Sequence, residues 1–138
     1  MKKRYILTFQ PDNINIPITY NLIKQFDIKV NILNADLTSG KTGHLVLEVD
    51  TEEKILNQAL NFVEKQNIKC HELKKQLDFK EEKCIACGSC TAVCFSGALS
   101  LNKKSWQIEF NHEKCVVCGL CVKACPLQLF HLEIDQYV

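Results

Sequence analysis

Cys84, Cys87, Cys90 and Cys94 form a C-x-x-C-x-x-C-x-x-x-C run, and Cys115, Cys118, Cys121 and Cys125 repeat it with Pro126 directly behind. Thiolates are soft donors. Three of them spaced three residues apart let one loop wrap three corners of an iron-sulfur cubane, one thiolate per iron. The fourth iron of each cubane needs a ligand from elsewhere. The doubled spacing therefore points to two 4Fe-4S clusters. Zinc is the strongest rival for such thiols, but zinc closes a tetrahedron with pairs of cysteines, and the third cysteine of each run would be surplus.

Nine cysteines in 138 residues would suggest disulfides in a secreted chain, so the compartment decides how they are read. Met1-Lys2-Lys3-Arg4 is basic, but the apolar stretch from Tyr5 to Phe9 is too short for a signal-peptide core and lacks a small-residue cleavage site. No run approaches a membrane span. The expectation is a cytoplasmic chain with no membrane partner, whose thiols stay reduced and available to metal. The formal charge of +1 counts every cysteine as a neutral thiol; with two oxidised cubanes bound, the protein becomes roughly four units more negative. No basic stripe interleaved with aromatics is present, which argues against nucleic acid as a partner.

The elements that position these thiols divide the chain in two. Residues 1–76 hold one cysteine, Cys70, and residues 77–138 hold the other eight. Lys74 to Lys83 is mostly charged with two apolar anchors and reads as a short exposed connector, too short to let the halves tumble freely. In the first half Tyr5, Leu7 and Phe9 alternate as in a strand. Pro17 then opens a helix with Ile18, Leu22, Ile23 and Phe26 at helical spacing. Ile28, Val30 and Ile32 begin a strand, and after the turn residues 38–43, Leu45, Leu47 and Val49 alternate in its hairpin partner. Asp50 or Thr51 is positioned to cap a second helix with Ile55, Leu56, Ala59, Leu60 and Val63 as its buried stripe. Ile68 to Leu73 closes a βαββαβ order, with two helices on one sheet face and the other face open for contact. The second half repeats every thirty residues or so: cluster loop, short helix, hairpin strand. Gly88 and Gly119 hold equivalent places before the third thiol, where a missing side chain lets backbone amides approach the cluster. Residues 98–101 and 106–110 read as paired strands, and 130–134 as a returning strand.

Over residues 80 to about 130 the cysteine pattern resembles bacterial-type ferredoxins with two 4Fe-4S clusters. That resemblance implies exchange of the distal cysteines. Cys84, Cys87, Cys90 and Cys125 would hold one cluster, and Cys115, Cys118, Cys121 and Cys94 the other. Phe95 stands where a proline commonly follows the first run, while Pro126 keeps it in the second; proline supplies no ligand. The first half resembles a NIL domain over residues 3 to 73, through Asn31-Ile32-Leu33 and the Gly43 to Val49 strand. The fold implied is α+β, a ferredoxin-like NIL domain followed by a two-cluster ferredoxin domain. Similar domains in methionine-transporter ATPases dimerise and bind methionine, so a homodimer through the first half is one implication. The whole architecture resembles NIL-ferredoxin proteins of anaerobes and methanogens. For these the resemblance implies service to a homocysteine-forming protein that inserts sulfur reductively into aspartate semialdehyde.

The bland reading of the eight thiols is that metal merely staples a domain too small to fold on burial alone. Stability is part of the role, but inert scaffolding needs one metal, whereas two adjacent cubanes make a path for single electrons. Cys70 reads as a small buried hydrophobe, His44, His71 and His131 as structural, His112 as a surface or supporting histidine, and Trp106 as packing over the second hairpin. Asn31 reads as satisfying a strand edge, with contact to a ligand carboxylate as its alternative. No triad, phosphate loop or paired carboxylates can be assembled, so no catalytic residue is assigned. The expected function is an electron carrier for a redox partner protein, not an enzyme in its own right. The alternative is a methionine-like amino-acid sensor or regulatory subunit whose clusters are structural or oxygen-sensing.

Overall fold

Tyr5, Leu7 and Phe9 alternate with Arg4, Ile6 and Thr8 along β1 (Lys2–Phe9), and both sets are buried, as in a central strand. The computed structural model describes residues 2–137; Met1 and Val138, the outer ends of the two halves read from the sequence, lie outside the described residues. β1 pairs antiparallel with β3 (Gly43–Asp50) and with β4 (Lys69–Leu73), and β3 pairs with β2 (Lys29–Asp36), giving the order β2-β3-β1-β4. The registers Tyr5 to Leu47 and Leu7 to Leu45 put one apolar set on a single face. Two helices, α1 (Ile18–Phe26) and α2 (Glu53–Lys65), add Ile18, Leu22, Leu56, Ala59 and Val63 to that core. Phe26 and Phe62 lock the helices edge to face at 5.7 Å. This is the α+β, ferredoxin-like layer expected.

Several local expectations fail for identifiable reasons. Ile23 is 49% exposed, because α1 carries only a narrow apolar stripe through Ile18, Leu22 and Phe26. Asp50 does not cap α2. It stays in the β3 ladder opposite Lys2 and Lys29, and Glu52 makes the turn without a side-chain cap. A register shift between Ile32 and Asn34 leaves Leu33 as an extra residue in the edge strand, and Ile32 is 53% exposed. On the second sheet face Ile6 and Val46 are buried. Beside them Arg4 pairs with Glu48 at 3.0 Å across β1 and β3, and Thr8 meets His44 Nδ1 at 3.4 Å.

The chain divides into two compact units: the first ends at Lys74 and takes in Tyr137, whose ring stacks on His71 at 4.4 Å, and the second runs from Lys75 to Gln136. In the second, β5 (Leu77–Phe79) pairs with β8 (Phe130–Leu132), and β6 (Leu99–Leu101) pairs with β7 (Ile108–Phe110), all antiparallel. Two five-residue helices, α3 (Ser89–Val93) and α4 (Leu120–Ala124), follow the two cysteine loops. The supposed connector is therefore partly a strand: Leu77 is buried opposite Leu132, and Phe79 stacks on Phe130 at 4.6 Å. Glu133 fixes its start by accepting the Lys75 and Gln76 amides, each at 2.8 Å. Trp106 is not a packing residue. It is 64% exposed, because the hairpin turn holds it at a left-handed φ of 58° with its amide donating to the Asn102 carbonyl at 2.7 Å. No helix among the described residues is long and apolar enough to cross a membrane.

Candidate functional site

Each cysteine run follows a one-turn 3-10 segment, Glu81–Lys83 or His112–Lys114, that delivers the first thiol. The chain then reverses through a left-handed residue, Ala86 at φ 56° or Val117 at φ 58°, so that it curls around the sulfurs instead of running past them. The Ala86 amide points back at Cys84 Sγ from 3.3 Å. Gly88 and Gly119 repeat the left-handed turn at φ 80° and 78° and start the helices that present Cys90 and Cys121. A side chain on Gly119 would meet Leu132 Cδ1 at 3.1 Å as well as strain the backbone. Cys94 and Cys125 end the helices, their amides donating to the Cys90 and Cys121 carbonyls at 3.2 and 3.1 Å. Conformation, not only spacing, is thus duplicated.

Cys94 lies beside the thiols of the other run. It lines a small cavity with Cys115, Cys118 and Cys121, to which Leu99, Val117 and Leu132 add apolar groups. The Cys121 thiol is pushed up to about 11, first by burial and then by its neighbours Cys115, Cys118 and Cys94. Cys90 is raised in the same sense, by burial first, with Cys84 and Cys87 adding to it. Cys84, Cys94, Cys121 and Cys125 all pack with Cys90 against the core of Leu77, Leu99, Ile108 and Phe130. Two thiols move the other way. The Ser89 hydroxyl lowers Cys87, and at Cys94 burial opposes ionisation but is outweighed by the Leu99 amide, the Ser96 hydroxyl and the Ala98 and Gly97 amides. Leu99 N–H lies 3.4 Å from Cys94 Sγ.

These donors suit a cubane. They are all thiols, Cys94, Cys115, Cys118 and Cys121 ring a cavity instead of meeting at a point, and amides are aimed at the Cys84 and Cys94 sulfurs. Among the described residues no three His, Cys, Asp or Glu side chains converge closely enough to hold one ion. Cys121 and Cys90, raised by burial and by neighbouring thiols, hold their protons more tightly than an ordinary thiol, so metal loading releases protons there.

His112 supports the chain around it: its Nδ1 donates to the Lys75 carbonyl at 2.8 Å and its ring meets Phe110 edge to face. His131 faces Asp78 across β5 and β8, and Asn31 is exposed on edge strand β2. Cys70 lies on β4 opposite Leu7 and packs against the first core. Burial, with Glu64 second, pushes its thiol up to about 12. At pH 8 the thiolate is then far rarer than at an ordinary thiol. Iodoacetamide is accordingly expected to spare Cys70 in the native protein and to modify it in urea. Peptide mass spectrometry reads both, and fast native labelling would show an open, reactive thiol instead. Sequence reasoning passed over Ser89 and Ser96, although each lies two residues beyond a ligand-spaced cysteine.

The chain matches the NIL domain over residues 3–72 and the 4Fe-4S dicluster domain over residues 77–132. It is 30% identical over 94 residues to the L-aspartate semialdehyde sulfurtransferase iron-sulfur subunit of Methanocaldococcus jannaschii, covering 68% of this chain and 70% of that protein. A 72-residue stretch is 29% identical to the methionine import ATP-binding protein MetN of Helicobacter hepaticus, covering 50% of this chain and 20% of that one. The C-terminal domain of an ABC transporter ATP-binding protein from Enterococcus faecalis superposes with a TM-score of 0.45 at 20% identity, over 51% of this chain and 82% of that one. A dicluster domain implies two 4Fe-4S clusters as cofactors. The chain belongs to the NIL-domain ferredoxins, in which a NIL domain precedes a 4Fe-4S dicluster domain.

Proposed function

We propose that this chain carries electrons to a separate enzyme that inserts sulfur into an aldehyde, with residues 77–138 as the carrier and residues 1–76 as the part that docks or regulates. Cys84, Cys87, Cys90 and Cys125 would hold one cluster, and Cys115, Cys118, Cys121 and Cys94 the other. The observation that carries this reading is Cys94 lining one cavity with the thiols of the second run. Each cluster, when bound, takes up and returns one electron. The chain's own residues do the rest. Leu99, Val117 and Leu132 line the second thiol set with apolar side chains, and the Ala86 and Leu99 amides steady the negative sulfurs. Ile85, Phe95, Leu120 and Leu127, each within two residues of a ligand cysteine, remain exposed and offer a partner an apolar contact close to the redox centres.

Support for such a partner comes from the similarity to the L-aspartate semialdehyde sulfurtransferase iron-sulfur subunit of Methanocaldococcus jannaschii. Turning an aldehyde into a thiol consumes hydrogen sulfide, two protons and two electrons and releases water, and two one-electron centres hold that pair. The chain would be an accessory redox subunit without catalytic residues of its own, working in a cytoplasm that keeps thiols reduced.

A second reading rests on the likeness to MetN: a first half that binds a methionine-like amino acid, as a dimer, with the clusters as staples or oxygen sensors. One anaerobic mixture separates the two. Dithionite-bleached protein is expected to regain its visible absorbance only when a sulfurtransferase catalytic subunit, L-aspartate semialdehyde and sulfide are all present, at about two electrons per thiol formed. Recovery that ignores the catalytic subunit, together with saturable methionine binding by calorimetry, would favour the sensor.

A further inference from the structure

Ser89 Oγ lies 3.5 Å from Cys87 Sγ, and Ser96 Oγ lies 3.6 Å from Cys94 Sγ. Each serine follows its cysteine by two residues. The second repeat has Leu120 and Leu127 at the same offsets from Cys118 and Cys125, so hydroxyl contact to ligand sulfur comes from the first repeat alone at these positions. A free thiol can donate its proton to the serine oxygen. A ligated thiolate has no proton, so the hydroxyl must turn and donate to sulfur. Such a donor favours whichever oxidation state puts more negative charge on the sulfurs, which is the reduced one.

With the ligand sets proposed above, Cys87 belongs to the first cluster and Cys94 to the second. We infer that Ser89 and Ser96 are potential-setting residues, one for each cluster, although both sit in the first cysteine run. Neither touches a reacting substrate; each acts through the sulfur it contacts. The inference rests on the crossed assignment, because without it both serines would act on the same centre.

The test is an anaerobic redox titration of the fully loaded chain, followed by visible absorbance and electron paramagnetic resonance, with iron and acid-labile sulfide counted in each sample. Ser89→Ala is expected to lower one of two one-electron steps by about three- to tenfold in its reduction equilibrium, roughly 30 to 60 mV. Ser96→Ala lowers the other step by a similar amount. Ser89→Thr and Ser96→Thr retain a hydroxyl and restore each value, which a purely structural role for the serine side chain would not do. Leu127→Ser adds a donor beside Cys125 and raises the step that Ser89→Ala lowers. Two intact steps that no serine variant moves would overturn the inference and leave the carrier reading standing. Both alanine variants moving the same step would overturn the crossed ligand sets, and a loaded protein with no steps would remove the carrier reading itself.

Discussion

Cys94→Ala is expected to damage the cluster of the other cysteine run and spare that of its own. Cys94 ends α3, yet it lines the cavity of Cys115, Cys118 and Cys121 and is among the charges that push up Cys121. Paired substitutions make the effect large and legible, because two changes at one centre do not add, whereas changes at separate centres do. Cys94→Ala with Cys115→Ala would disable one site twice and leave about four of roughly eight irons. Cys94→Ala with Cys84→Ala would disable both sites and leave close to none. Iron and acid-labile sulfide analysis of oxygen-free preparations reads the difference. The reverse ranking would show that each run keeps its own fourth thiol.

Removal of iron by a chelator is expected to unfold residues 75–136 and leave the first unit standing. The second unit has little else to hold it. Its two sheets are pairs of three-residue strands, and its helices are five residues long, far below what stands alone in water. Its core of Leu77, Leu99, Ile108 and Phe130 is completed by cysteines, so the ligands to the metal also form part of the core. The first unit has a four-stranded sheet and two longer helices around its own apolar core. Hydrogen exchange with mass readout should show amides of β5 to β8 exchanging at least about a hundredfold faster after chelation, while β1 and β3 keep their protection. Unchanged protection in both units would mean that the clusters contribute nothing to folding.

What could be read from the sequence, and what could not, follows from the range of each signal. Ligand spacing is local and dictated by cluster geometry, so the cysteine runs, Gly88 and Gly119 were visible at once. The stripe of Leu56, Ala59 and Val63 was visible because a thirteen-residue helix repeats its period several times. Three residues carry no period. Leu77-Asp78-Phe79 therefore passed as a charged connector, and its role comes from pairing with Phe130 to Leu132 far along the chain. Trp106 misled because aromatic bulk suggests burial, while the turn at Asn102 decides its exposure. The bulge at Leu33 sits inside the Asn31-Ile32-Leu33 motif itself, and alternation alone gives no hint of an extra residue. Left-handed Ala86 and Val117 were equally hidden. β-Branched Val117 is disfavoured at positive φ, and only the demand that the loop curl around its sulfurs accounts for it.

Every role assigned to these residues depends on two inorganic cubes sitting in the chain and passing charge one electron at a time. The decisive experiment is anaerobic spectroelectrochemistry on reconstituted protein, with metal and labile sulfide measured on the same sample. The expected result is iron and sulfide in equal amounts, about eight of each per chain, and two low-potential one-electron steps. Zinc in place of iron, bound iron without labile sulfide, or a loaded protein that stays silent across the ferredoxin range would refute it.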